Sequence, residues 1–239
     1  MSGAARAYLV AGCRPWSRRV FDQRLRALPG AWHYVSTPEE LEAALERMAV
    51  PPRYAFFPHW SWKVPEAVVG RHECVGFHMT DLPYGRGGSP LQHLILRGHR
   101  TTKLSALRLV SELDAGPVYA KAELSLHGRA EEIYERAMDA AAEIIADIVR
   151  DEPEPQPQPL GPEGRSSVFR RRRPEESRLP ELASPEALYD FIRMLDAPGY
   201  PHAFLTHGSF RVTFSHAVLD GDTLTARVAI VPEPAEPRG

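Results

Sequence analysis

Ala7-Tyr8-Leu9-Val10-Ala11-Gly12 is an unbroken apolar run ending in glycine, the pattern of a strand buried on both faces. From Pro15 to Leu28 the apolar residues Trp16, Val20, Phe21, Leu25 and Leu28 recur at helical spacing, with arginines between them. Trp32 to Ser36 reads as a second short strand. Thr37-Pro38-Glu39-Glu40 then carries a helix start, with Thr37 as N-cap, proline at the first helical position and Glu40 at the third. That helix is expected to run to about Ala49. Tyr54-Ala55-Phe56-Phe57 is a third strand and Cys74 to His78 a fourth. This alternation predicts a mostly parallel sheet wrapped by helices, an α/β fold.

After His78 the pattern changes. A loop dense in proline and glycine, Leu82 to Pro90, leads into a short helix, Leu91 to Leu96, stopped by Gly98. Lys103 to Val110 and Pro117 to Leu126 read as strands flanking a turn at Asp114, with alternation at Val118, Ala120, Ala122 and Leu124. Ala130 to Arg150 is a long helix whose apolar stripe (Ile133, Ala137, Ala140, Ala141, Ile144, Ile145, Ile148) should cover one face of the sheet.

Residues 152–168 read as a linker. Proline at every second position (Glu152-Pro153-Glu154-Pro155-Gln156-Pro157-Gln158-Pro159) forbids helix and sheet and favours an extended, semi-rigid spacer. The organisation expected is a catalytic-type domain at 1–151, the linker, a small C-terminal domain at 169–232 and a disordered tail at 233–239. The small domain should hold a basic run (Arg170 to Arg173), a helix from Ser184 to about Leu195, and two strands, Ala203 to His216 and Thr223 to Val231. Asp220-Gly221-Asp222 is the turn between those strands.

Composition narrows the class. A formal net charge of -2 argues against a chain built mainly to coat nucleic acid or anionic membrane. The two cysteines, Cys13 and Cys74, are too few for a disulfide framework and read as small buried hydrophobes. No apolar run approaches the roughly 20 residues of a membrane span, and no secretory leader is recognisable at the N-terminus. A cytoplasmic protein without membrane attachment is expected.

The candidate chemistry lies around Phe77-His78-Met79-Thr80-Asp81-Leu82-Pro83-Tyr84-Gly85-Arg86-Gly87-Gly88-Ser89-Pro90 and Leu113-Asp114-Ala115-Gly116. A histidine ending a strand above a glycine loop stands where open α/β sheets place ligand chemistry. These segments resemble the paired signatures of the formyltransferase family, Asn-x-His-x-Ser-x-Leu-Pro with a glycine-containing loop, and then Asp-x-Gly. His78, Thr80, Leu82-Pro83, Gly87, Pro90 and Asp114-Ala115-Gly116 match in place. Leu188 to Ala203 resembles the opening of the family's C-terminal domain. The resemblance implies a Rossmann-like catalytic domain followed by a small α+β, OB-like domain. It implies 10-formyltetrahydrofolate as formyl donor and an amine as acceptor, most readily a nucleotide-linked amino sugar or another small biosynthetic intermediate. Nucleic acid is not the expected acceptor, although tRNA stays open, as does a homodimer. His78 would shuttle a proton and face the oxyanion, and Asp114 would orient or polarise His78. Donor or acceptor contacts would come from His59, Thr80, Asp81, Gly85, Arg86 and Gly87, and no metal ligands are assigned.

One position departs from the pattern. The family's Asn, two residues before the histidine, is Gly76 here. Losing one oxyanion donor commonly costs on the order of 10²–10³ in rate. His59, Thr80, Asp81 or a backbone N–H opened by Gly76 could replace it, and Asp81 could hold a cationic amine or orient Arg86. Other readings therefore remain: the same fold with altered chemistry, as a formyl hydrolase or another acyl or one-carbon transferase, or a non-catalytic relative that binds a ligand or partner. Bland readings stand beside each residue. His78 and Asp114 could be a satisfied core histidine and a turn residue, Arg86 a loop cap, and Trp60 and Trp62 core rather than a stacking platform. Gly85, Gly87 and Gly88 could be loop residues rather than a phosphate cradle, and Arg170 to Arg173 a solvated face rather than a phosphate or RNA contact.

Overall fold

A computed structural model describes residues 6–159 and 167–233. The backbone divides into two compact units. The first runs to Pro90 and takes in Thr102–Leu124 and Tyr134–Phe169. The second comprises Leu91–Thr101, Ser125–Ile133 and the chain from Arg170 onward. The Leu160 to Ser166 part of the expected linker and the tail from Pro234 lie outside the described residues.

The first unit is built on a six-stranded sheet. Its strands are β1 (Ala7–Ala11), β2 (Ala31–Val35), β3 (Tyr54–Phe57), β4 (Cys74–His78), β6 (Thr101–Arg108) and β7 (Val118–Ser125), in the order β2-β1-β3-β4-β6-β7. β1 pairs in parallel with both β2 and β3, and β3 in parallel with β4. β6 then runs antiparallel to β4. All five residues of β1 and all four of β3 are buried, as the unbroken apolar runs require of strands covered on both faces. The chain leaves β1 for β2 on one side and later returns to place β3 on the other. The crevice at the carboxyl ends of β1 and β3 is thus a topological switch point, where open α/β sheets bind ligands.

Helix α1 (Pro15–Gln23) is shorter than the apolar spacing predicts, because Leu25–Ala27 tightens into a 3₁₀ turn. α2 (Pro38–Arg47) starts as read from the sequence. The Thr37 side chain accepts a hydrogen bond from the Glu40 N–H at 3.2 Å, and Glu40 reaches back to accept from the Ser36 N–H at 2.7 Å. Helix α5 (Ala130–Asp151) follows its apolar stripe: Ile133, Ala137, Ala141, Ile145 and Ile148 are all buried. Each isoleucine so buried contributes roughly 1.5–3 kcal/mol. Within the first unit α1 lies along α5, with Trp16 stacked on Tyr134 at 5.2 Å and Arg19 paired to Asp139 at 3.1 Å. Two short elements carried no periodic signal: α3 (Glu66–Val69) and β5 (Arg86–Gly87), which pairs in parallel with β8 (Val168–Phe169).

The proline-alternating segment is not a free spacer. Gln156 and Val118 exchange backbone hydrogen bonds of 2.7 and 2.8 Å as an antiparallel bridge at the start of β7. In such a pair only alternate residues point N–H groups at the neighbour, so prolines at 155 and 157 direct their missing donors away from the sheet. The period of two that excludes a central strand therefore suits an edge strap.

In the second unit α4 (Pro90–Leu96) and α6 (Pro185–Arg193) accompany a three-stranded antiparallel sheet ordered β11-β10-β9. Ser184 caps α6 by accepting from the Ala187 N–H at 3.2 Å. The single strand expected from Ala203 to His216 is two strands, β9 (Ala203–His207) and β10 (Phe210–Asp220). His207 pairs with Phe210, leaving Gly208-Ser209 as a two-residue hairpin loop with Gly208 at φ +57°. The turn at Gly221-Asp222 joins β10 to β11 (Thr223–Pro232) as expected. The Arg170 to Arg173 run is largely exposed, with Glu176 as its main acidic partner. Arg170 pairs with Glu176, whose carboxyl accepts from the Arg173 N–H at 2.7 Å. The Arg170 hydrogen bonds, followed by that backbone bond, push the Glu176 carboxyl down to about 2.

Candidate active site

β4 alternates its faces, so Cys74, Gly76 and His78 share one side of the sheet. The His78 ring, at the strand's carboxyl end, is buried, and its Nε2 lies 2.7 Å from the Gly85 carbonyl. A carbonyl only accepts, so Nε2 carries the hydrogen and donates. In the neutral ring the lone pair is then on Nδ1. Nδ1 faces the Asp114 Oδ2 at 3.5 Å, beyond a direct hydrogen bond but within ion-pair range. Two acceptors face each other across a gap that a proton, or a proton-bearing group, would satisfy.

Asp114 is held firmly. Its backbone is left-handed, φ +52°, a conformation that costs a side-chain-bearing residue on the order of 1 kcal/mol or more and that Asp tolerates better than most. Its Oδ2 accepts from the Gly87 N–H at 2.8 Å, and its own carbonyl accepts from the Gln158 Nε2 at 2.8 Å. A Cβ at Gly116 would stand 1.8 Å from the Arg108 carbonyl oxygen. That close approach explains the glycine of the Asp-x-Gly turn.

The glycine loop packs closely against the chain around Phe169. Gly87, at φ +101°, presses against the Phe169 backbone, where a Cβ would come within 2.3 Å of the carbonyl oxygen. Its N–H serves Asp114, the Gly85 N–H donates to Ser167 Oγ at 3.0 Å, and the Gly88 N–H donates to the Phe169 carbonyl at 2.8 Å. Each of these three donors has a partner within the protein. Arg86 is also committed. Its Nη2 and Nε donate to Gln158 Oε1 at 2.7 and 3.2 Å, and Nη1 pairs with Glu112 at 3.4 Å.

Asp81 does not orient Arg86. It is paired with Lys121 and, at 3.1 Å, with Lys103. Partial burial pushes its carboxyl up, but the hydrogen bonds from Lys121 and Lys103 outweigh this and hold it below the usual carboxylate range. The cation it holds is thus the protein's own. Thr80 is fully buried, its carbonyl accepting from Ser105 Oγ at 2.6 Å, while its hydroxyl has no hydrogen-bond partner among the described residues.

His59 is engaged elsewhere. It sits just past β3, at φ +59°, with Nδ1 accepting from Trp16 Nε1 at 2.9 Å and its ring edge-on to Tyr134 at 4.7 Å. Burial, with a smaller contribution from Arg14, pushes its pKa down to about 3, so the ring is neutral. Trp60 packs on the apolar cluster of the first unit and edge-on to Phe57, and Trp62 is exposed. The Trp60 Nε1 is buried without a hydrogen-bond partner among the described residues. Burial pushes the Cys74 thiol up to about 12, consistent with a core residue.

At Gly76 the space is taken. A Cβ there would lie 2.5 Å from the Leu109 Cδ2, and Leu107 closes in at 3.7 Å. The atoms nearest that position are all leucine carbons, so nothing polar stands there in place of an asparagine. Sequence reasoning missed Leu109, Gln158 and Phe169, each of which shapes this site. Only Gln158 left a signal, as one of the non-proline positions of the alternating strap. Among the described residues no group of three or more His, Cys, Asp or Glu could hold a metal ion, and no helix is long and apolar enough to cross a membrane.

Comparison with known proteins gives this geometry a family. Residues 174–231 match the methionyl-tRNA formyltransferase C-terminal domain. Methionyl-tRNA formyltransferase of Thermus thermophilus is 30% identical over 177 residues, covering 73% of this chain and 55% of that one. The chain thus spans about half the length of that relative. The structure of methionyl-tRNA formyltransferase from Clostridium thermocellum is 36% identical with a TM-score of 0.85, covering 95% of this chain and 99% of that one. HypX from Aquifex aeolicus in complex with tetrahydrofolic acid shares the fold at 19% identity and a TM-score of 0.70, over 90% of this chain and 38% of that one. On the strength of that near-complete match to the Clostridium protein, and of the His78–Asp114 pairing its fold assembles, the chain belongs to the formyltransferase family that includes methionyl-tRNA formyltransferase.

Proposed function

We propose that this protein is an N-formyltransferase that moves a formyl group from formyl-tetrahydrofolate to a primary amine. The observation that carries the reading is the His78 Nδ1 facing the Asp114 carboxylate at 3.5 Å, with Nε2 already committed to the Gly85 carbonyl. A neutral amine attacks the formyl carbon and becomes cationic as the new C–N bond forms, so a proton must leave it. The Nδ1 lone pair takes that proton, and Asp114 stabilises the resulting imidazolium. The same proton returns to the donor nitrogen as its bond to the formyl carbon breaks. The Thr80 hydroxyl and the Trp60 indole N–H, buried and unpartnered near the carboxyl ends of β4 and β3, fit a polar donor molecule in this region. The donor brings the formyl group; holding it and moving the proton fall to these residues.

The acceptor follows the relatives named above first, as the amino group of methionyl-tRNA. A small amine such as a nucleotide-linked amino sugar is a second reading, favoured by the formal net charge of -2, which is low for a chain that grips tRNA by its phosphates. Both cysteines are free thiols, which suits a reducing cytoplasmic setting. The test incubates the purified chain with formyl-tetrahydrofolate and each acceptor class, following product by the mass of one added formyl group. Formylated amine supports the proposal and names the acceptor. Formate released without acceptor would replace transfer by hydrolysis, and absence of both product and folate binding would overturn the enzymatic reading.

A further inference from the structure

We propose that Gln158 is a positioning residue for Asp114, carried into the site by the proline-alternating strap. The claim deepens the formyl-transfer reading, on which its kinetic readout rests.

Gln158 is buried, which is unusual for an uncharged polar side chain unless its groups are all paired. Here they are. Its Nε2 donates to two carbonyls of the catalytic turn, those of Asp114 and Gly116, each at 2.8 Å. Its Oε1 accepts from Arg86 at 2.7 and 3.2 Å. One amide thus ties the Asp114 turn to the loop that presents the Gly85 carbonyl to His78 and the Gly87 N–H to Asp114. A glutamine is needed because the clamp demands two donors on one nitrogen and an acceptor on the other atom. The Gln156–Val118 bridge sets the register that delivers it, two residues further along. Asp114 adopts a left-handed backbone that costs energy, so its placement must be over-determined by its surroundings.

The experiment uses the full chain with Gln158→Met, which keeps bulk and removes the hydrogen bonds, and Gln158→Glu, which keeps an acceptor for Arg86 but turns oxygen toward the two carbonyls. Amide hydrogen exchange is followed at Gly87 and across residues 112–117, together with the melting temperature. Both variants are expected to raise exchange at Gly87 and in the turn by at least tenfold, selectively against the β1 and β3 amides. Formyl transfer is then expected to show kcat reduced by on the order of 10²-fold with the KM for the donor within about twofold, as misplacement by an ångström predicts. Unchanged exchange at Gly87 in both variants overturns the positioning role. Full kcat in Gln158→Glu also overturns it, because Gln158 would then serve Arg86 alone. If the wild-type chain forms no formylated product, the functional reading fails while the exchange result still decides the positioning claim.

Discussion

Leu109 occupies the volume that any side chain at Gly76 would enter, its Cδ2 2.5 Å from where a Cβ would stand. An apolar side chain thus fills the space beside β4 at the position, two residues before His78, where the family pattern has an amide. Restoring the amide alone overpacks the site. Gly76→Asn is expected to destabilise the fold by about 1–3 kcal/mol. Gly76→Asn combined with Leu109→Ala should recover part of that loss, because the two residues share the space and their effects do not add. Urea unfolding of the two single variants and the double variant measures the coupling; strict additivity would mean the clash relaxes at no cost.

The Asp114 carboxylate supplies charge, and its left-handed backbone limits which replacements are informative. Asn tolerates that conformation and can still accept from the Gly87 N–H, so Asp114→Asn should fold with near wild-type stability. Formyl transfer should nevertheless fall by roughly 10²–10⁴-fold, the usual range for losing a proton-transfer group or its charge partner. His78→Gln should fall by a comparable factor, and the double variant should lose little more than either single one, since the two act as a unit. Single-turnover kinetics on the three proteins decides this.

His59 makes a prediction about acid stability rather than catalysis. Its pKa in the fold, about 3, lies below the unfolded value near 6.5. The unfolded chain therefore binds the proton first as pH falls. The stabilising effect of the neutral ring is complete above about pH 6.5 and is lost progressively down to about pH 3, each unit of separation being worth about 1.4 kcal/mol. His59→Asn suits the positive φ and can keep an acceptor for Trp16 without titrating. Urea midpoints measured from pH 7 to pH 4 should fall less steeply for His59→Asn than for the wild type; equal slopes would count against a buried neutral ring.

The reach of the sequence can be judged from the same residues. β1, β3 and β4 were legible because strands buried on both faces leave unbroken apolar runs, and α2 because Thr37 and Glu40 write their cap in fixed spacing. His78 and Asp114 were legible as a pair through motif spacing, and the structure brings them together. What the sequence did not show was which partners the loop residues take within the protein. The N–H groups of Gly85 and Gly87 turn to Ser167 and Asp114, 82 and 27 residues away, partners that no local pattern announces. The partners of Asp81 come from β6 and β7, and no local pattern foretells a lysine pair across strands. The strap was misread because a period of two prolines excludes a strand only where both edges must pair.

That last point carries its own test. The Gln156 N–H donates to the Val118 carbonyl at 2.8 Å, whereas the proline nitrogens on either side face away from β7. Gln156→Pro should therefore detach the strap, removing a hydrogen bond worth about 1 kcal/mol and placing a ring against the sheet edge. Gln158 would lose its register with Asp114, so formyl transfer should fall alongside the local protection of residues 114–118. Pro157→Ala, one position further on, breaks no hydrogen bond and should leave the strap bound, changing stability by only a few tenths of a kcal/mol to about 1 kcal/mol through the freer unfolded chain. Hydrogen exchange at Val118 separates the two cases: fast exchange in Gln156→Pro with wild-type protection in Pro157→Ala is the expected pair of results, and equal protection in both would show that the strap is held by something other than this bridge.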